Sequence, residues 1–174
     1  MASKRMYKEP VGVIGAGSFG TVVANLLARN ATVLLYARRA EVFHDMQLAR
    51  TAAGQPLASN IQVVSQLSEI TQCCQVLFPV VPSGAFREVI KQLAPLLQPH
   101  HLLIHGTKGL VARWPSSSNS GPLPMLRRAD IQTMSELIQE ESVVRQVGCL
   151  AGPNLASEIA QGQPAATVIA SSTP

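Results

Sequence analysis

An α/β fold, with a mainly parallel sheet covered by helices on both faces, is what this sequence predicts. Short β-branched runs alternate with longer helical patterns along most of the chain, the arrangement that joins parallel strands by crossover helices. Of its 174 residues, 47% are hydrophobic and only 4% aromatic, which suits a core of Val, Ile, Leu and Ala. The first apolar run, Val11-Gly12-Val13-Ile14, leads through Gly15-Ala16-Gly17-Ser18-Phe19-Gly20 into the helical pattern that opens Thr21-Val22-Val23-Ala24. A G-x-G-x-x-G between a strand and a helix is the fingerprint of a dinucleotide site and makes the expected fold Rossmann-type and doubly wound.

The elements follow in order. Residues 1–10 are polar and basic and read as a loose tail, with the dinucleotide-binding domain running from 11 to 174. Strand one covers 12–15, and a helix covers 18–29, with Asn30 as its stop. Residues 32–36 (Thr-Val-Leu-Leu-Tyr) form a continuous apolar strand. A helix follows over 40–48, a third strand over 61–64 and a fourth over 76–81, closed by Pro82. Ser83 caps a helix that runs through Leu93 and sets Val89, Ile90, Leu93 and Leu97 on one face. A fifth strand covers 102–105. Residues 114–124 read Trp-Pro-Ser-Ser-Ser-Asn-Ser-Gly-Pro-Leu-Pro, where proline and glycine exclude helix and sheet interior, so a mobile surface loop is expected. Helix resumes at 133–138, and a sixth strand spans 144–150. Asn154 caps a short helix over 154–161, ended by Gly162, and 166–170 is the last strand.

Bulk properties exclude several classes. No apolar run reaches the roughly 20 residues of a membrane helix. The net charge of +4 suits an anionic ligand, but no basic run interleaved with aromatics points to nucleic acid. Cys73, Cys74 and Cys149 show no metal-site spacing, and free thiols in a reducing cytoplasm are expected.

The chemistry sits where strands end. Gly15 allows the tight turn, Gly17 lets backbone approach a pyrophosphate, and Gly20 lets the helix pack against the strand. The helix start offers free N–H groups to phosphates, with Ser18 and Phe19 in its first turn. The second strand ends Tyr36-Ala37-Arg38-Arg39, and Arg38 follows Gly20 by 18 positions. An acidic residue there would read the ribose 2′-OH of NAD, whereas arginine suits the 2′-phosphate of NADP. Glu41 is a competing acidic reader. Val81-Pro82-Ser83 closes strand four beside the crevice, and Ser83 can line the cofactor. Strand five ends His105-Gly106-Thr107-Lys108-Gly109-Leu110, where Lys108 can hold an oxygen or a phosphate. His105 reads as a packed histidine. In Ala151-Gly152-Pro153-Asn154-Leu155-Ala156-Ser157-Glu158, Gly152 permits close backbone approach and Asn154 offers an amide.

Taken together, Gly15-Ala16-Gly17-Ser18-Phe19-Gly20-Thr21, Val81-Pro82-Ser83, Thr107-Lys108-Gly109-Leu110 and the stretch from Ala151 to Glu158 resemble the NAD(P)-dependent glycerol-3-phosphate dehydrogenases. The resemblance covers nearly the whole chain in the right order. It implies an oxidoreductase of glycerophospholipid metabolism that interconverts dihydroxyacetone phosphate and sn-glycerol 3-phosphate. It implies that Ser18, Phe19, Arg38 and Ala156 touch the cofactor, that Lys108 touches cofactor and substrate, and that Gly152 and Asn154 touch the substrate. Three departures stand out. The family's Asn/Tyr-Leu-Pro stretch is not recognisable between Arg50 and Asn60. Residues 114–124 resemble an insertion. The family's helical second domain, which carries the proton-transferring lysine and a phosphate-binding Arg-Asn pair, is absent from these 174 residues, so no catalytic residue is expected here. A homodimer of the full-length protein is left open. Two rival readings are another two-domain dehydrogenase, of the 6-phosphogluconate or ketopantoate type, and a stand-alone NADP-binding module without catalysis.

Overall fold

The computed structural model describes residues 8–113 and 127–171. Most of the tail and the whole stretch expected as a surface loop at 114–124 lie outside the described residues. In chain order the elements are β1 (Val11–Ile14), α1 (Ser18–Leu27), β2 (Val33–Tyr36), α2 (Ala40–Ala49), β3 (Thr51–Ala52), β4 (Gln55–Pro56) and β5 (Ile61–Val64). Next come α3 (Leu67–Cys73), β6 (Val76–Pro79), α4 (Ser83–Leu93), β7 (Leu102–His105) and β8 (Leu110–Ala112). The described chain closes with β9 (Ile131–Thr133), α5 (Met134–Glu141), β10 (Gln146–Ala151), α6 (Ala156–Ala160) and β11 (Val168–Ser171).

Seven strands form one sheet in the order β11-β10-β7-β6-β1-β2-β5. All neighbours pair parallel except β10 with β11, which pair antiparallel. Numbered along the chain, the six parallel strands stand in the order 3-2-1-4-5-6 of the doubly wound plan. The order reverses at β1, whose two neighbours are β2 and β6. The loops leaving their carboxyl ends diverge there and open a crevice.

Alternation along each strand splits the core between the two faces. Val11, Val13, Val33, Leu35, Phe78 and Ile104 point to one face, under Val23 and Ala24 of α1, Ala28 at its C-cap and Met46 of α2. Ile14, Leu34, Leu77, Leu103 and Val147 point to the other, under Ile70 of α3, Phe86, Val89, Ile90 and Leu93 of α4, and Leu137 and Ile138 of α5. The stripe expected on α4 is therefore buried as read. Gly12 in β1 has its own reason: a Cβ there would stand 2.5 Å from Ile70 Cγ2, so α3 can lie this close only over a glycine.

Several details differ from the sequence expectation. Helix α1 ends at Leu27, three residues before Asn30. Asn60 takes up the turn that follows, donating to the carbonyls of Ala28 and Ala31 at 2.7 Å each. The N-cap of α4 is Pro82, and Ser83 is already the first helical residue, with no side-chain cap bond. The fixed φ of proline suits an extended residue immediately before a helix. Between Arg50 and Asn60 the chain forms a β3–β4 hairpin whose two turn residues, Ala53 and Gly54, both have positive φ, at 47° and 76°. Arg50, itself left-handed at φ 52°, folds its guanidinium back onto the carbonyls of Ala58 and Ile61 at 2.7 and 2.9 Å. Asn25 of α1 holds the far side of the hairpin, donating to Pro56 O and accepting from Ala58 N, both at 3.0 Å.

Candidate functional site

The glycine turn leaves β1 at the switch point. Gly15 has φ +121°, a conformation closed to side chains, and a Cβ there would lie 2.3 Å from Val80 O. A Cβ on Gly20 would lie 1.9 Å from Gly15 O, so α1 rests directly on the turn. Gly17 is different. Nothing lies within 4 Å of its missing Cβ. It is the extended N-cap of α1, no side chain caps the helix, and no acidic residue stands in its first turn. The helix start therefore presents its amides and its partial positive charge to open space, with Ser18 exposed beside it.

A crevice of about 340 Å³ opens at this point. Its lining includes Gly15, Ala16 and Gly17 from the turn, Arg38 and Arg39 after β2, and Val80, Val81 and Pro82 after β6. Both arginines are exposed, and neither has an ion-pair partner among the described residues. Glu41, the competing acidic reader, is in the first turn of α2 and is not part of the lining. Ala37 and Val42, which the sequence reading passed over, add apolar lining to the same crevice. Ser83 is outside the lining; it stands next to the Lys108–Gly109 turn, 3.5 Å from the missing Cβ of Gly109.

A second group forms at the same sheet edge, because the strands that carry it are parallel to β1. Thr107 Oγ1 donates to Val81 O at 2.7 Å and ties the end of β7 to the end of β6. Phe19 of α1 comes within 3.2 Å of the missing Cβ of Gly106. Lys108 Nζ reaches Gly152 O at 3.3 Å and brings the ends of β7 and β10 together. Gly152 has φ +142°, and a Cβ there would strike Ala166 O at 2.3 Å. Three of the sequence candidates, Lys108, Gly152 and Asn154, therefore converge.

Asn154 corrects the expectation of a helix cap. The N-cap of α6 is Leu155, and the helix covers only Ala156–Ala160. Asn154 is buried at 7% exposure, its Oδ1 accepts from Thr167 Oγ1 at 3.0 Å, and its Nδ2 has no partner. Its N–H donates to Gly152 O at 2.8 Å, which folds the turn back on itself and puts the side chain inside instead of over the helix end. Ala156 opens α6. Thr167 was not singled out by sequence reading, since a lone threonine ahead of a strand carries no signal.

His105 is buried, hydrogen-bonded through Nε2 to Ser135 Oγ at 2.9 Å and edge-on to Phe86. Burial holds its imidazole below the ordinary value. It is a packed histidine, as expected. Burial also pushes the Cys74 thiol up to about 12, with a smaller contribution from Cys73. All three cysteines are free. Among the described residues no cluster of His, Cys, Asp or Glu could hold a metal, and no helix is long and apolar enough to cross a membrane.

A doubly wound sheet, a glycine turn at its switch point and an uncapped helix start over a crevice define a Rossmann-type dinucleotide-binding domain. Residues 10–174 match the family described as NAD-dependent glycerol-3-phosphate dehydrogenase N-terminus, and the chain belongs to that family. It is 33% identical over 169 residues to glycerol-3-phosphate dehydrogenase [NAD(P)+] of Azotobacter vinelandii, covering 94% of this chain and 45% of that protein. The corresponding protein of Ectopseudomonas mendocina is 34% identical over 168 residues, with 94% and 44% covered. The chain thus spans about half the length of the curated relatives it matches. The crystal structure of glycerol-3-phosphate dehydrogenase from Coxiella burnetii superposes with TM-score 0.77 at 28% identity, over 95% of this chain and 47% of that one. The Saccharomyces cerevisiae enzyme shares the fold, with TM-score 0.77 at 21% identity over 97% and 48%.

Proposed function

We propose that this chain is the cofactor-binding half of an oxidoreductase that interconverts dihydroxyacetone phosphate and sn-glycerol 3-phosphate with a nicotinamide cofactor. The observation that carries it is the convergence of Lys108, Gly152 and Asn154 at the sheet edge that also holds the glycine turn. The residues fit a dinucleotide: open space at Gly17, an uncapped helix start, and a crevice floored by Val80 and Pro82. Gly15, Gly17, Ser18, Phe19 and Gly20 would hold the pyrophosphate end. Arg38 and Arg39 would meet a 2′-phosphate, so NADP(H) is the preferred cofactor. Ser83 and Ala156 would flank the nicotinamide end.

The bound nicotinamide supplies the hydride chemistry. The chain's own part is to bind and orient. The Lys108 ammonium is a point charge suited to a ketone or phosphate oxygen, and Asn154 Nδ2 is a fixed donor beside it. Lys108 binds and polarises the oxygen, and among the described residues no second group is placed beside it as proton donor to a developing alkoxide. His105 is buried against Phe86, and burial lowers its affinity for a proton. Turnover therefore belongs to the chain joined to the remaining half of the relatives' length, and the isolated 174 residues bind without catalysing. The free thiols support a reducing compartment such as the cytoplasm.

Calorimetry with NADP+ and then with glycerol 3-phosphate tests the reading. Saturable cofactor binding is expected, followed by glycerol phosphate binding that Lys108→Ala removes. Cofactor binding with no response to glycerol phosphate in any background would favour the stand-alone module.

A further inference from the structure

Asn154 is half-satisfied in an informative way. Thr167 Oγ1 donates to its Oδ1 at 3.0 Å, while Nδ2 is unpaired in a side chain that is only 7% exposed. Nδ2 lies 3.2 Å from the missing Cβ of Gly152, whose carbonyl Lys108 Nζ reaches at 3.3 Å. The unpaired amide donor and the Lys108 ammonium therefore flank the same glycine. A buried donor left unpaired is costly, and a native protein retains one where something else completes it.

The placement of Thr167 comes from the backbone. Ala151 pairs with Val168 across the antiparallel β10–β11 ladder, so Thr167 stands one step beyond, opposite Gly152. The ladder thus delivers a hydroxyl to the Asn154 amide without any requirement from the core, where Thr167 has no part.

We propose that Thr167 is a positioning residue for the substrate site: its hydroxyl holds the Asn154 amide with Nδ2 turned toward an oxygen-bearing ligand gripped by Lys108. This rests on the substrate reading given above. The physical reason is the near-symmetry of a carboxamide. Rotation by half a turn exchanges oxygen and nitrogen at almost no steric cost, so shape alone does not choose the face presented. With the Thr167 hydroxyl donating, Oδ1 is occupied and the unpaired Nδ2 is left on the Gly152 side. Without it, neither end of the amide is anchored, and once it turns over an acceptor meets the carbonyl or phosphate oxygens of the ligand. One unproductive orientation replaces a charge-compatible one.

The test uses the chain with NADP+ bound and glycerol 3-phosphate as the probe, followed by NMR titration. Thr167→Val, which keeps the shape and removes the hydroxyl, is expected to weaken glycerol phosphate binding roughly ten-fold, the scale of one net hydrogen bond. Thr167→Ser restores it. The Asn154 side-chain NH2 signals shift in Thr167→Val before any ligand is added. On an Asn154→Ala background, Thr167→Val adds nothing further, because the two act through one contact. An unchanged affinity in Thr167→Val, or an equal further loss on the Asn154→Ala background, overturns the positioning role. If Asn154→Ala and Lys108→Ala also leave the titration unchanged, the substrate reading itself fails, and this inference with it.

Discussion

Gly17→Ala separates folding from binding at the glycine turn. The backbone at Gly17 has φ −79° and ψ −179°, extended geometry open to any residue, and no atom lies within 4 Å of the added methyl. Two small effects on stability oppose each other. Alanine restricts the unfolded chain, worth about 0.4–1 kcal/mol in favour of folding. Alanine is also a poorer N-cap than glycine, at a cost of about 0.5–1 kcal/mol. The net change should fall within about 1 kcal/mol, or about 2–4 °C in Tm for a domain of this size. Binding behaves differently. The methyl occupies the space through which a phosphate must approach the helix amides, and one lost charge-assisted bond is worth about 1.5–3 kcal/mol, ten- to a hundred-fold in Kd. Gly20→Ala is the contrast, because its Cβ would sit 1.9 Å from the Gly15 carbonyl and the helix must move. That variant should lose about 1–3 kcal/mol or more of stability as well as cofactor. Thermal melts by circular dichroism and calorimetric titration with NADP+ read both quantities. An unaltered Kd in Gly17→Ala would place the phosphates elsewhere and refute the reasoning.

Arg38→Ala should remove most of the preference for NADP(H) over NAD(H), each ten-fold being about 1.4 kcal/mol; equal affinities for the two cofactors in the parent chain would count against the 2′-phosphate contact. His101→Leu should cost about 2–4 kcal/mol in urea unfolding, because Nδ1 accepts from Gln98 N at 2.7 Å and Nε2 meets Thr71 O at 3.0 Å, and both backbone groups would be stranded. A change below about 0.5 kcal/mol would show that water replaces the ring without penalty. His105 carries a pH signature: burial makes the folded imidazole bind its proton less readily than the unfolded one at 6.5, so below that pH the unfolded chain takes up more protons and stability falls until the lowered folded value is passed. Above pH 6.5 the His105→Gln variant and the parent should differ by a constant, with the gap changing only on the acid side; a gap independent of pH from 5 to 8 would exclude this histidine as the source.

The parallel sheet, its core faces and the glycine turn were legible in the sequence because they depend on local periodicity. Val33, Leu34 and Leu35 alternate faces whatever else the chain does, and β-branched runs between helical patterns admit few arrangements. The β3–β4 hairpin was not legible. Its turn uses Ala53 at positive φ, where Asn or Asp would have signalled the conformation, and it is held by Asn25 from α1 and by the folded-back side chain of Arg50 just before it. Helix α3 also escaped notice, since its seven residues bury little beyond Ile70 and Thr71 and its capping bond runs from Gln66 N to Glu69 Oε1, without the usual hydroxyl.

For the candidate site, composition and order along the chain named Gly17, Arg38, Lys108, Gly152 and Asn154, and each stands at the carboxyl edge of the sheet. That edge follows from strand direction, which sequence alternation already implies. Whether those side chains meet is another matter. Lys108 and Gly152 are 44 residues apart, and only the parallel pairing of β7 with β10 puts Nζ on that carbonyl. Asn154 read as a cap because capping is the local preference of asparagine. The return of the chain through β11 overrode it, supplying Thr167 as a partner that no local pattern could announce. Local propensity is set by a residue and its near neighbours, whereas the orientation of a buried amide is set by whichever distant group arrives to satisfy it.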